Sequence, residues 1–159
     1  MYHGERFNAY SHLAGSMLAV AALVLMTVKA NGPYQLASAL TYGICLILLY
    51  LGSTLYHSIP QPKIKAILQK VDHCMIYLLI AGSYTPFTLI PLKGGWGWSL
   101  FGLSWGLALF GIIQELTIGR KSEKRLLSMM IYVIMGWLIL VAVSPLVRTL
   151  PFAGLFWLA

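Results

Sequence analysis

The stretch "LASALTYGICLILLYLGSTLYH", residues 36–57, decides the fold class. From Leu36 to Tyr56 it carries no Asp, Glu, Lys or Arg. A helix crossing the hydrocarbon core needs about 20 mostly apolar residues, so this run predicts a transmembrane helix. It ends with Ser53 and His57 four positions apart, on one helix face. An ionisable group at membrane depth is a functional candidate. A second reading of His57 is an interfacial histidine donating to a neighbouring carbonyl.

Working outward, runs of the same kind cover approximately residues 12–30, 73–91, 97–116 and 126–147. A sixth begins at "FAGLFWLA", residues 152–159. The fold class is therefore all-α: a single polytopic membrane domain over residues 1–159, with five complete spans and the start of a sixth. The chain reads as a C-terminally truncated form of a longer protein. The runs are too long and too continuously apolar for barrel strands, which alternate lipid-facing with lumen-facing residues. Short connections such as "NGPYQ" and "PLKGGW" predict helices that run up and down in antiparallel order. There is no internal repeat.

Composition agrees. Hydrophobic residues make up 59% of the chain and charged residues 9%, against about 25% charged in soluble domains. The net charge of +7 falls in short loops, where basic residues set topology. No basic stripe interleaved with aromatics is present, so nucleic-acid binding is excluded. With the N-terminus in the cytoplasm, the inner side holds Arg6, Lys63, Lys65, Lys70, Arg120, Lys121, Lys124 and Arg125. The outer side holds only Lys29, Lys93 and Arg148. The expected placement is a cell membrane, multi-pass, with a cytoplasmic N-terminus. Cys45 and Cys74 read as small apolar core residues.

Several polar groups then share the inner level. Residues 58–71 read as a short amphipathic turn lying in the interface, from Ile64, Ile67, Leu68 and Val71. That turn delivers Asp72 to the start of the next span, either as a helix N-cap or as a carboxylate facing a metal-bound water. His73 points about 100° away around the helix and reads as structural or interfacial. Glu5, Asn8 and His12 fall on one face of the first helix, either as an amphipathic entry or as outer support for the site. Glu115 reads as an interfacial charge near Arg120. In "AGSYTPF", residues 81–87, Gly82 and Pro86 read as packing and kink residues. A catalytic zinc takes three protein ligands, and only His57 is a confident imidazole at the right depth. The site is incomplete in this chain.

The stretches "ERFNAYSHLAG" (5–15), "LGSTLYHSIP" (51–60), "KVDHCMIYLLIAGSYTPF" (70–87) and "MGWL" (135–138) resemble the hemolysin III family, the bacterial branch of the progestin and adipoQ receptor superfamily. The resemblance runs over essentially the whole chain. It implies a seven-helix bundle with a cytoplasmic-side Zn2+ held by three histidines. The position of His57 matches one of them, and the other two form a His-x-x-x-His on a seventh helix beyond this chain. Asp72 matches an aspartate that bonds the zinc-bound water. The superfamily includes membrane-embedded hydrolases of lipid amides such as ceramides. Three functions follow as expectations. The first is a zinc-dependent lipid amide hydrolase using Asp72 and Ser53, with membrane lipids as partners and substrate. The second is a non-enzymatic sensor or regulator of the membrane with a structural zinc. The third is a pore-forming cytolysin, against which the uninterrupted spans argue, since they offer no soluble alternative state.

Overall fold

A computed structural model describes residues 3–118 and 122–156. After a single 3₁₀ turn at His3–Glu5 come α1 (Arg6–Val28), α2 (Pro33–Ser58), α3 (Pro62–Leu89), α4 (Gly95–Ile118) and α5 (Ser122–Trp137). A 3₁₀ segment, Leu138–Ala142, leads into α6 (Val143–Thr149), and α7 (Phe152–Phe156) follows. Among the described residues there is no strand. The chain is a polytopic bundle of membrane helices.

Each start has a local cause. Pro33 and Pro62 stand in the first turns of α2 and α3, where the missing N–H is harmless and the fixed φ suits a helix. Gly32 precedes α2 with φ 100°, a left-handed conformation that glycine adopts without strain. This lets the chain reverse within a few residues after α1. Consecutive helices pack side by side, α1 on α2, α2 on α3 and α3 on α4, while α5 returns against both α3 and α4.

Among the described residues, four helical stretches, against the five complete spans expected, are long and apolar enough to cross a membrane: Arg6–Val28, Pro33–Ser58, Gly95–Thr117 and Leu126–Thr149. The exception is α3, the longest helix and the most enclosed. Its first half carries Lys63, Lys65, Lys70 and Asp72, which lower its mean hydropathy. Its second half is nonetheless the core of the bundle. Tyr77 and Ala81 pack with Ala108, Ile131 and Met135. Tyr84 packs one level on with Leu92, Leu100, Leu138, Ala142 and Leu146. A helix walled in by its neighbours meets little lipid and has less need of apolar residues.

Two expectations are corrected. Residues 58–71 do not form a separate interfacial turn. The helix starts at Pro62 and continues unbroken through Asp72, because no glycine or proline interrupts the chain between Lys63 and Ala81 and the Ile64-to-Val71 spacing simply continues into the span. Asp72 is therefore an interior residue of α3 and not an N-cap; that position belongs to Gln61. The run 126–147 is not one uniform helix either. Tyr84 explains the break: its hydroxyl lies 2.7 Å from the Met135 carbonyl and 3.2 Å from that of Gly136, and accepts from Ile139 N–H at 2.9 Å. A side chain inserted in the i→i−4 ladder diverts it. Pro145, lacking an N–H, removes another rung.

In "AGSYTPF" the structure shows the close packing read for Gly82. Gly82 is buried, and a Cβ there would sit 3.0 Å from both Cβ and Sγ of Cys45. Cys45 and Cys74 are free and buried, in keeping with their reading as small core residues.

Candidate functional site

The C-terminal turns of α2 place Tyr50, Ser53 and His57 at i, i+3 and i+7, one face of the helix. That face meets α1. The Tyr50 ring packs edge-on to His12 at 5.6 Å, and Ser53 is buried. One helical turn beyond Ser53, the His57 ring stands edge-on to His12, with centroids 6.1 Å apart and planes at 83°. Glu5, from the turn before α1, brings Oε1 to 3.9 Å from His57 Nδ1. The Asp72 carboxylate on α3 is near enough to act electrostatically on the same imidazole, as are Glu5, Lys65 and His12. The α2–α3 hairpin thus returns the chain to the depth it left.

Lys65 organises the entrance. Its Nζ donates to Glu5 Oε2 at 2.7 Å and to the Tyr56 carbonyl at 2.9 Å, and it lies over the Tyr56 ring at 4.3 Å. Three elements, the N-terminal turn, the end of α2 and the start of α3, are tied by one ammonium. Charge-assisted bonds of this kind are roughly twice as strong as neutral ones. Glu5 is held by Lys65 on one oxygen and turns the other toward His57.

Of the residues expected at the site, the structure brings together Glu5, His12, Ser53, His57 and Asp72 at one end of the bundle. Asn8 is exposed and does not share that face; Ala9 is the buried residue of its turn. His73 faces the other way. Its Nδ1 is 3.1 Å from Glu115 Oε1 on α4, and its carbonyl accepts from Tyr132 Oη on α5 at 3.1 Å. It supports the helix that carries Asp72 from behind.

That second cluster corrects the reading of Glu115 as an interfacial charge. Glu115 is only 7% exposed, and Ser128 Oγ contacts both Glu115 Oε2 at 3.2 Å and Gln114 Oε1 at 3.1 Å. Arg120, its expected neighbour, lies outside the described residues. A buried carboxylate must be hydrogen-bonded or paired, and His73 and Ser128 do this. The available signal was the pair Gln114–Glu115 near the end of an otherwise apolar helix, at the depth where Ser128 begins the return. The Lys65–Glu5 pair, separated by 60 positions, left no trace in local spacing.

A zinc ion asks for imidazoles whose nitrogens are not already committed. His57 Nδ1 and His12 Nδ1 are both buried without a hydrogen-bond partner among the described residues. Orphaned buried nitrogens are costly unless a ligand, ion or water completes them, so the donor set fits a metal in part. No group of three His, Cys, Asp or Glu residues is placed to hold a metal by itself among the described residues.

Comparison with known proteins fixes the lineage. A family model described as haemolysin-III related matches residues 1–159. The chain belongs to that family. Hemolysin-3 of Bacillus cereus is 45% identical over 153 residues, covering 94% of this chain and 69% of the relative. The hemolysin-3 homolog of Bacillus subtilis (strain 168) is 43% identical over 153 residues, covering 94% and 71% respectively. No solved structure matches. As a haemolysin-III-related protein, the chain carries its Ser53–His57 and Asp72–His73 elements inside the matched region.

Proposed function

We propose that this haemolysin-III-related protein is a zinc-dependent hydrolase of lipid amides, working at the cytoplasmic face of a cell membrane. One observation carries the proposal: His57 Nδ1 is buried with no hydrogen-bond partner among the described residues, while a second imidazole stands edge-on to its ring, a Glu5 oxygen lies 3.9 Å from that nitrogen, and the Asp72 carboxylate acts on it electrostatically. His57 is the residue that would hold the metal from α2. The remaining ligands would come from a segment beyond residue 159. When bound, zinc supplies a Lewis acid and brings its water toward a pKa of about 7.

The chain's own residues then divide the work. Asp72 receives and holds the water's proton. Ser53, one turn from His57 on the same face of α2, donates its hydroxyl to the substrate carbonyl. Lys65 fixes Glu5, whose other carboxylate oxygen stays 3.9 Å from His57 Nδ1 and supplies outer electrostatic support to the imidazole, the kind of support whose loss costs about 10–100-fold in metal affinity. The apolar walls of α1 and α2 admit an acyl chain laterally from the bilayer and exclude water from the amide. Basic residues concentrated at this end favour its placement on the cytoplasmic side.

The test uses the full-length protein. Zinc per protein is measured together with hydrolysis of N-acyl lipids in wild type, His57→Ala, Asp72→Asn and Ser53→Ala. The expected result is loss of zinc in His57→Ala, and retained zinc with lost turnover in Asp72→Asn. Zinc at the wild-type level in His57→Ala removes the ligand assignment. Zinc bound by a wild type that cleaves no acyl amide gives the site to a structural or sensory role.

A further inference from the structure

At the end of the bundle opposite His57, α1, α2 and α3 line a groove of about 450 Å³. Its walls include Leu25 and Lys29 from α1, Ser38 and Tyr42 from α2, and Pro86 and Ile90 from α3. The opening has a definite origin. Lower down, the helices are pinned together: a Cβ on Gly43 would sit 2.5 Å from Leu23 Cδ1, and one on Gly82 would sit 3.0 Å from Cys45. The groove opens beyond those two contacts, beside Pro86, which lies inside α3.

Two features make this more than an apolar cleft. Ser38 is 2% exposed, and its Oγ has no hydrogen-bond partner among the described residues, although a helical serine ordinarily bonds a carbonyl of the preceding turn. It lines the groove. At the mouth the charge is positive, from Lys29 just after the end of α1. No acidic residue lines the space. A buried donor in an apolar trough beneath a cationic rim fits a molecule with a hydrocarbon body, a carbonyl near the middle and an anionic end. A volume of this size is within the roughly 300–1,000 Å³ of small-molecule sites.

We infer that the groove between α1, α2 and α3 is a binding site for one anionic glycerophospholipid. An acyl chain lies along Leu25, Tyr42 and Pro86. Its ester carbonyl accepts from Ser38 Oγ, and its phosphate lies against Lys29. The site is separate from the His57 end and does not depend on the hydrolase reading.

The experiment places full-length protein in nanodiscs of phosphatidylcholine with an equal share of phosphatidylglycerol, and reads retained lipid by native mass spectrometry. Wild type should keep one phosphatidylglycerol, preferred about fivefold, as expected for a single lysine at a membrane surface. Lys29→Gln should keep a lipid and lose the preference. Ser38→Phe should fill the groove and retain none. Because Ser38→Phe could also misfold, a photo-reactive side chain replacing Tyr42 provides a second reading in an otherwise wild-type protein, where it should label phospholipid. Retention unchanged in Ser38→Phe, preference unchanged in Lys29→Gln, or labelling at position 42 of another segment of the chain would each overturn the assignment.

Discussion

Tyr84→Phe tests why the last long span is broken. The change deletes one oxygen from a buried position and keeps the ring. It removes the bond to the Met135 carbonyl at 2.7 Å and the one accepted from Ile139 N–H at 2.9 Å; the 3.2 Å contact to Gly136 shares the same hydroxyl proton. Hydrogen bonds between membrane helices average about 0.6 kcal/mol and reach about 1.7, so two of them give about 1–2 kcal/mol. Part of that is recovered. Ile139 and Met135 are four apart, so the freed N–H and carbonyl can close an ordinary helical bond if Leu138–Ala142 rewinds. The net expectation is about 1 kcal/mol of lost stability, with residues 138–142 converted from 3₁₀ to α-helix. Unfolding of purified protein in mixed micelles measures the first, and amide exchange over residues 138–142 the second. Pro145→Ala is the control, since that proline is the other candidate cause. If Tyr84→Phe leaves both stability and exchange unchanged while Pro145→Ala straightens the segment, the tyrosine has no part in the break.

Glu115→Leu strands His73 Nδ1 and half of the Ser128 hydroxyl's contacts, and should cost about 1–3 kcal/mol; Glu115→Gln keeps an acceptor and should cost less than half as much in the same unfolding assay. Equal costs would show that only side-chain volume matters there. A cysteine placed at position 3 should be labelled by a membrane-impermeant reagent only after the cytoplasmic side is opened, and labelling of intact cells would reverse the topology. Purified protein added to red cells should release no haemoglobin at low concentration, because the spans have no hydrophilic state from which to insert. Release would favour the cytolysin reading instead.

The fold was legible where one rule acted alone. Length and apolarity marked α1, α2 and α4 because each presents much of its surface to lipid, and lipid rewards nothing but hydrocarbon. They marked the apolar half of α3 as well, residues 73–91, but misplaced its start, because Lys63, Lys65, Lys70 and Asp72 lie ahead of that half on the same unbroken helix. Tyr84 then altered a helix about 50 positions away, through a contact that no local periodicity encodes. The site divides in the same way. Ser53 and His57 were readable from spacing on one helix. The join of Glu5 to Lys65, and the exclusion of Asn8 from that face, depend on how α1 enters the bundle.

The arrangement around α3 has one further consequence. Asp72 and His73 are neighbours that point about 100° apart, one toward the α1–α2 imidazoles and the other toward Glu115. The rotation of α3 that keeps the Asp72 carboxylate within electrostatic reach of His57 is therefore the rotation that His73 secures from the far side, through its ring to α4 and its carbonyl to Tyr132 on α5. A residue that never touches the site can in this way set its geometry. His73→Ala should consequently weaken the influence of Asp72 while leaving the His12–His57 pair in place. Cross-linking distances between positions 57 and 72, compared with those between 12 and 57, read this directly. A change confined to the second pair would mean that α3 is held in register by its glycine contacts alone.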